Sequence, residues 1–267
     1  MFTMLQVKIL QIQYPKMFGN KIGQEYTKEY SKEEMQDKDR PISIIIPAAG
    51  MGYRMKSYGP KALIKLNTKY TLIERQVRIL KKNYPNSEIF IVVGFESEKI
   101  ISVLSKYSVK FIFNPIHQET NVLYSIGLAI MSASFDEVVV VYGDLIFNHK
   151  AVKDLRGNSK IVVDSNGFMK KEEVGVVVST DNLITNMSFG IDLKWGQIVY
   201  LKDKELQIFK EISTTNECKN WFGYEGINYV IDNGGKIESL SHKSIKIFEI
   251  DGAKDLEKFN KKRLTFG

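Results

Sequence analysis

Three runs of apolar, mostly β-branched residues punctuate the chain: "ISIIIPAA" from Ile42, "EIFIVVGF" from Glu88 and "EVVVVYGD" from Glu137. Each run is continuous rather than alternating, the pattern of a strand covered on both faces. Between them the period becomes helical. "LIERQVRILKKN" carries Leu72, Ile73, Val77, Ile79 and Leu80; "SEKIISVLSKYS" follows the second run; "NVLYSIGLAIMSAS" precedes the third. Strands and helices alternating at this spacing predict right-handed βαβ units and a parallel sheet. Past about residue 150 the pattern changes, and "KIVVDSN", "EEVGVVVSTDNLITNMSF" and "GQIVYLKDKELQIF" read as shorter strands with turns. "GYEGINYVIDNGGKIESL" reads as a helix closed by Gly234 and Gly235 and then a strand, "IKIFEID" as a last strand, "AKDLEKFNKK" as a last helix. The expected fold is α/β: a doubly wound, mostly parallel but mixed sheet in three α/β/α layers, with a small antiparallel extension.

Residues 1–40 do not share this pattern. A short amphipathic piece leads into the charged "GQEYTKEYSKEEMQDKDR", which reads as an N-terminal extension, either an appendage or a dimer or partner helix. A homodimer is carried as an expectation on that ground. Residues 41–267 are expected to form one elaborated domain in two halves, 41–150 and 151–267, since 267 residues suit one large core better than two.

Composition narrows the function classes. The chain is 43% hydrophobic and 26% charged, ordinary for a globular protein, without a low-complexity tract. Its excess of 38 basic over 31 acidic residues is dispersed among acids, a solvated-surface pattern, and no basic stripe with interleaved aromatics marks a nucleic-acid reader. A single cysteine, Cys218, excludes an intrachain disulfide and a zinc cluster, and His117, His149 and His242 have no metal spacing. No apolar run approaches the ~18 to 20 residues that span a bilayer. Lys8, Gln11 and Gln13 interrupt the apolar start, so no signal peptide is read, and a cytoplasmic protein without membrane partners is expected.

The chemistry concentrates directly after the first strand, in "PAAGMGYRMKSYGPKAL", residues 47–63. Glycines next to Arg54, Lys56 and Lys61 suggest an anion held by backbone amides and cationic side chains. Two phosphate loops fail on spacing. A Walker loop puts Gly next to Lys, whereas Gly52 is separated from Lys56, and a dinucleotide fingerprint would need Gly where Met55 stands. What remains, Ala48-Ala49-Gly50-Met51-Gly52-x-Arg54-Met55 followed by Pro60-Lys61 and an apolar strand "ALIKL", resembles the signature of the nucleotidyltransferases that activate sugar phosphates, choline phosphate and related molecules. The resemblance extends through "LIERQV", "VVGF", Asn114 with "TNVLYSIGLA", "VVVYGD" and "FEIDGAKDLEKF", covering residues 42–260.

The resemblance implies attack of an acceptor phosphate on the α-phosphorus of a nucleoside triphosphate, with pyrophosphate leaving. It assigns Arg54 to the departing phosphates and Lys61 to the α-phosphate. Ala48, Ala49, Gly50, Met51, Gly52, Asn114, Thr120, Asn121, Ser125 and Gly143 are assigned to the nucleotide, and Asp144 and Asp251 to Mg²⁺. Asp164, Lys194, Trp195, Tyr224 and Glu225 fall where relatives shape the acceptor pocket, which makes 41–150 the nucleotide-binding half and 151–267 the acceptor-binding half. Other readings stay open: an Asp after a strand is often a turn or cap, Asn121 and Ser125 can serve the helix start, Lys56 can face solvent, and Trp195 and Tyr224 can be packing residues. The compact second half is closer to small cytidylyltransferases for phosphocholine, aminoethylphosphonate or phosphoglutamine, with CTP. A sugar-1-phosphate with UTP, CTP or dTTP is the alternative within the class, and a nucleotide-binding regulatory module without turnover is the alternative outside it.

Overall fold

Ile42, Ile44 and Ile46 face one side of the first strand and Ile45 the other, and all four are fully buried. That strand, β1 (Ile42–Pro47), lies between β2 (Ser87–Val93) and β4 (Glu137–Val141), both parallel to it, in registers such as Ile44 with Ile89 and Ile44 with Val139. A buried aliphatic side chain contributes about 1.5–3 kcal/mol, so a strand apolar on both faces is stable only under cover on both. The computed structural model describes residues 39–50, 59–66, 69–165 and 171–262. Met51, Gly52, Arg54 and Lys56 lie outside the described residues, as do residues 1–38.

The cover comes from two groups of helices. Ile73, Val77 and Leu80 of α1 (Leu72–Asn83) pack under the Ile42/Ile44/Ile46 face with Ile100 and Leu104 of α2 (Ser97–Leu104). Leu123 and Ile126 of α3 (Val122–Ile130) join Phe209 and Ile227 on the Ile45 face. Thr71 caps α1: its hydroxyl accepts from the Glu74 amide, and the Glu74 carboxylate accepts from the Thr71 amide at 2.9 Å, reciprocal bonds that satisfy two donors left over at a helix start.

Among the described residues nine strands form one sheet. Its path runs β10 (Glu238–Leu240), β6 (Lys160–Asp164), β9 (Leu193–Lys202), β4, β1, β2 and β3 (Lys110–Phe113), with β7 (Val174–Val178) attached to β9 and β8 (Ile184–Phe189) to β7. β9 is antiparallel to both β4 and β6, while the other neighbours along the path are parallel. The three-layer mixed sheet with an antiparallel β7–β8–β9 extension is the expected fold class. A separate two-stranded ribbon pairs β5 (Leu145–Phe147) with β11 (Ile247–Glu249), and the short helix α4 (Lys150–Lys153) follows β5.

Two local expectations are corrected. "KDKELQIF" is not a continuation of strand: β9 ends at Lys202 and α5 (Asp203–Ser213) begins, burying Leu206, Phe209 and Ile212 at helical spacing. "ALIKL" is not a full strand either. Pro60 introduces a 3₁₀ turn, Lys61–Leu63, and among the described residues the extended chain beyond it pairs through the Lys65–Thr71 bridge. The remaining α-helices among the described residues are α6 (Gly223–Asp232) and α7 (Ala253–Lys262). α6 ends as expected, with Gly234 at φ 76°, a conformation that costs an L side chain energy. Among the described residues no helix is long and apolar enough to cross a membrane.

Candidate active site

A cavity of about 910 Å³ opens along the carboxyl edge of the sheet, where open α/β sheets take ligands. Its floor follows the strand order. His117, Thr120, Asn121 and Ser125 line the β3 side, Ala48, Ala49 and Gly50 follow β1, and Gly143 and Asp144 follow β4. Lys194, Trp195 and Gln197, at the start of the reversed β9, line the other side.

The centre is built by close approach. A Cβ on Gly143 would lie 2.7 Å from the Pro47 carbonyl oxygen, and the Gly143 amide donates to that oxygen at 3.2 Å. Only glycine lets the ends of β1 and β4 meet so closely, which sets Asp144 beside the Ala48–Gly50 turn. From below, the fully buried Gln76 of α1 donates to the carbonyls of Tyr142 at 2.9 Å and Leu145 at 2.7 Å, bracketing Asp144.

Asp251 reaches the same place through the β5–β11 ribbon. Glu249 pairs with Leu145, and the Ile250 amide donates to the Asp144 carbonyl at 3.0 Å. Asp255, in the first turn of α7, accepts from the amides of Asp251 and Gly252 at 3.2 and 3.1 Å and pins the bend after β11. The Lys61 ammonium then bridges the two acids, 3.2 Å from Asp144 Oδ2 and 2.9 Å from Asp251 Oδ1. Burial alone would lower the Lys61 pKa, but the two carboxylates outweigh it and hold the pKa above that of an ordinary lysine.

Glu249 is the third acid here. One ligand oxygen from each of Asp144, Glu249 and Asp251 lies within 4.8 Å of the others. Burial, then the charges of Asp144 and Asp251, push the Glu249 pKa up to about 7 against the Gln197 hydrogen bond. The cluster fits a small hard cation on two grounds. All its donors are oxygens, which Mg²⁺ prefers, and Asp144 Oδ1 is buried with no hydrogen-bond partner although Oδ2 takes Lys61.

On the β3 side, Asn114 sits beneath the cavity wall, fully buried. Its amide donates to Thr120 Oγ1 and Ser125 Oγ, both at 3.0 Å, and its oxygen accepts from the Ile116 amide. Asn114 therefore sets the positions of Thr120 and Ser125, which do line the cavity. Asn121 caps α3, its side chain accepting from the Val122 amide at 2.8 Å, and also lines the cavity.

On the β9 side the expected acceptor residues divide. Lys194 lines the cavity and pairs with Glu173 at 2.6 Å, both side chains nearly buried. Trp195 lines it too, edge-on to Tyr142 with centroids 5.4 Å apart. Tyr224 stacks on Phe222 at 6.0 Å, and Phe189 meets both rings edge-on at 5.6 and 6.5 Å. Asp164 is not on the cavity wall; it is buried at the end of β6, across the ladder from Lys194. Glu225 is not on it either, because its carboxylate accepts from the Phe222 amide at 2.6 Å at the start of α6.

Sequence reasoning missed Glu249, Gln197, Gln76, Phe189 and Phe222. A signal for Glu249 existed: in "FEID" it stands two residues before Asp251, the spacing that puts extended residues on one side. Phe189 and Phe222 carried none, since aromatics in a strand and before a helix usually pack inward.

A family model described as the MobA-like NTP transferase domain matches residues 44–182. The choline-phosphate cytidylyltransferase of Streptococcus pneumoniae (strain ATCC BAA-255 / R6) is 39% identical over 90 residues, 33% of this chain and 38% of that protein, so the chain spans well under half of that relative's length. Among solved structures, the CTP:phosphocholine cytidylyltransferase LicC of Streptococcus pneumoniae superposes with a TM-score of 0.72 at 20% identity, covering 83% of this chain and 99% of that one. The inositol-1-phosphate CTP transferase of T. maritima superposes at 0.71 and 18%, covering 87% and 98%. At these identities the two structures establish the fold.

Proposed function

The chain belongs to the family of the MobA-like NTP transferase domain, and from that premise we propose that it transfers a nucleoside monophosphate, CMP from CTP, to a small phosphorylated acceptor and releases pyrophosphate. The observation that carries the proposal is the convergence of Lys61 with Asp144 and Asp251, at 3.2 and 2.9 Å, beside the Ala48–Gly50 turn.

The chemistry asks little of the protein beyond handling charge. A phosphate monoester has its second pKa near 6, so the acceptor already carries its nucleophilic anion and no general base is needed. The nucleophilic oxygen forms a bond to the α-phosphorus as the bond to the pyrophosphate oxygen breaks, and pyrophosphate departs with that electron pair. Positioning and electrostatic stabilisation do most of the catalysis in such transfers. Lys61, turning from the carboxylates, offers its ammonium to the α-phosphate, and the amides of Ala49 and Gly50 face the triphosphate, the Ala48 amide being bound to the Val92 carbonyl at 2.8 Å. We assign Arg54 and Gly52, outside the described residues, to the departing phosphates. When bound, Mg²⁺ held by Asp144, Glu249 and Asp251 supplies neutralisation of the triphosphate charge.

The nucleoside is proposed to lie over the β1–β3 side, against Thr120, Asn121 and Ser125, and the acceptor over β9, against Lys194, Trp195 and Tyr224. Phe189 and Phe222 are 45% and 47% exposed where they line the cavity with Tyr224 and Glu172. Aromatic faces beside a carboxylate suit an organic cation, which supports a phosphorylated amine or quaternary ammonium acceptor of the phosphocholine kind. The name of the Streptococcus pneumoniae relative points the same way. Cys218 is a buried free thiol, in keeping with the cytoplasmic location we propose.

The test is pyrophosphate release with Mg²⁺, screening the four nucleoside triphosphates against phosphocholine, aminoethylphosphonate, phosphoglutamine and sugar-1-phosphates. CTP with a cationic acceptor is the expected pair. Preference for a sugar-1-phosphate would overturn the acceptor assignment, and the absence of both turnover and triphosphate binding would leave a module without catalysis.

A further inference from the structure

β9 is irregular where it passes the carboxylates. On β6, Ile161 pairs with Val199 and Val163 with Trp195, so Val162 alone faces Gly196, Gln197 and Ile198. Gln197 takes up the excess at φ 55°, a left-handed conformation inside a strand. Such a conformation costs a non-glycine residue about 1–3 kcal/mol and persists where the surroundings enforce it, often at a site. Bulges commonly re-aim one side chain next to a site.

The flanking residues show what this one is aimed at. The Gln197 carbonyl accepts from the Tyr142 amide at 3.3 Å, two residues before Asp144. A Cβ on Gly196 would lie 2.7 Å from Ile247 Cδ1, so the bulge also makes the seat on which β11 rests, and Glu249 ends β11. Gln197 lines the cavity together with Glu249.

We infer that Gln197 is a positioning residue: the bulge in β9 turns its amide onto Glu249 and holds that carboxylate within reach of Asp144 and Asp251 as one donor set for a divalent cation. This rests on the metal-dependent reading of the site. Its physical basis is repulsion. Three carboxylates crowded within 4.8 Å separate unless neighbouring donors restrain them, and the side chain at position 197 is the donor β9 supplies. Groups that orient metal ligands typically control affinity by 10- to 100-fold.

The experiment titrates Mn²⁺ alone into the full chain, following free Mn²⁺ by electron paramagnetic resonance, with thermal midpoints recorded in parallel. Gln197→Gly and Gln197→Ala are expected to weaken Mn²⁺ binding by about 10-fold. Gln197→Gly should melt no lower than wild type, because glycine adopts the φ of 55° without strain. That split separates positioning from a purely structural role and needs no folded alanine variant. Added to Glu249→Gln, either substitution should weaken binding no further, since both act through one carboxylate. Wild-type Mn²⁺ affinity in Gln197→Gly, full additivity with Glu249→Gln, or no Mn²⁺ binding by the wild type would each overturn the inference. Failure to release pyrophosphate from any triphosphate, with the Mn²⁺ results as expected, would instead reject the transferase reading.

Discussion

Replacing Glu249 by glutamine should stabilise the metal-free protein at alkaline pH and do nothing at acid pH. Glu249 is pushed from an ordinary 4.5 to about 7, first by burial and then by Asp144 and Asp251. The folded state therefore binds its proton more tightly than the unfolded state does, and stability falls as pH rises between those two values. The penalty is absent below about pH 4.5, complete above about pH 7, and amounts to about 3 kcal/mol at 1.36 kcal/mol per pKa unit. A glutamine side chain is nearly isosteric with glutamate and carries no charge to desolvate. Urea unfolding of both proteins in EDTA from pH 4.5 to 8.5 reads out the loss of this carboxylate together with its coupling to Asp144 and Asp251. The curves should coincide at the acid end and diverge by about 3 kcal/mol at the other, roughly 6–12 °C in Tm for a domain of this size. Parallel curves, or a variant less stable than wild type at pH 8, would refute the electrostatic account of the cluster. Adding Mg²⁺ should reverse the order by stabilising wild type more, because its third donor is then used.

Lys61→Ala should lower kcat for pyrophosphate release by about 10²- to 10³-fold, as loss of a preorganised charge stabiliser does; an unchanged kcat would remove it from the reaction. Gly143→Ala places a Cβ 2.7 Å from the Pro47 carbonyl oxygen, so the β1 and β4 ends must part, and a drop in Mn²⁺ affinity with the circular dichroism spectrum retained is expected. Lys194→Met removes the ammonium 2.6 Å from a nearly buried Glu173 and should cost about 3 kcal/mol in urea unfolding. Phe222→Ala should raise KM for a quaternary ammonium acceptor roughly five-fold, about 1 kcal/mol, and leave KM for CTP unchanged; an equal effect on both substrates would argue against the aromatic subsite.

Much of the sheet was legible because its central strands are apolar on both faces. Ile42–Ile46 and Val138–Val141 admit no half-exposed strand, and the helices between them fix a parallel order. Asp144 and Asp251 were found as residues after strands, and the glycine that lets Asp144 approach β1 stood in the same motif. Less was legible where the pattern had two readings. "IVYLKDKELQIF" is continuously buried from Ile198 to Leu201 and then buries Leu206, Phe209 and Ile212 at helical spacing, and nothing in the run itself marks where one pattern gives way to the other. Asp164 and Glu225 have the right chemistry for a ligand, yet one is enclosed at a strand end and the other spends its oxygen on a helix start. Gln197 escaped notice because nothing in "KWGQIVY" announces a bulge. That irregularity arises only when β6 and β9 must both stay in register with β11 lying across them.

The β5–β11 ribbon has a consequence for how such a chain can change. Asn148 and Lys246 are 98 residues apart in sequence, yet the Asn148 side chain accepts from the Lys246 amide at 3.2 Å, just past the ribbon's end. The chain from β6 to β10 leaves and returns at this clasp, while β9 within it is anchored in the sheet against β4. Lengthening or shortening the connections of the β7–β8 hairpin, which lies off the main path of the sheet, costs little closure entropy and leaves β9, and with it the seat of β11, in place. The end of the cavity that Phe189 lines can therefore be reshaped at that hairpin, with the carboxylate centre carried over intact.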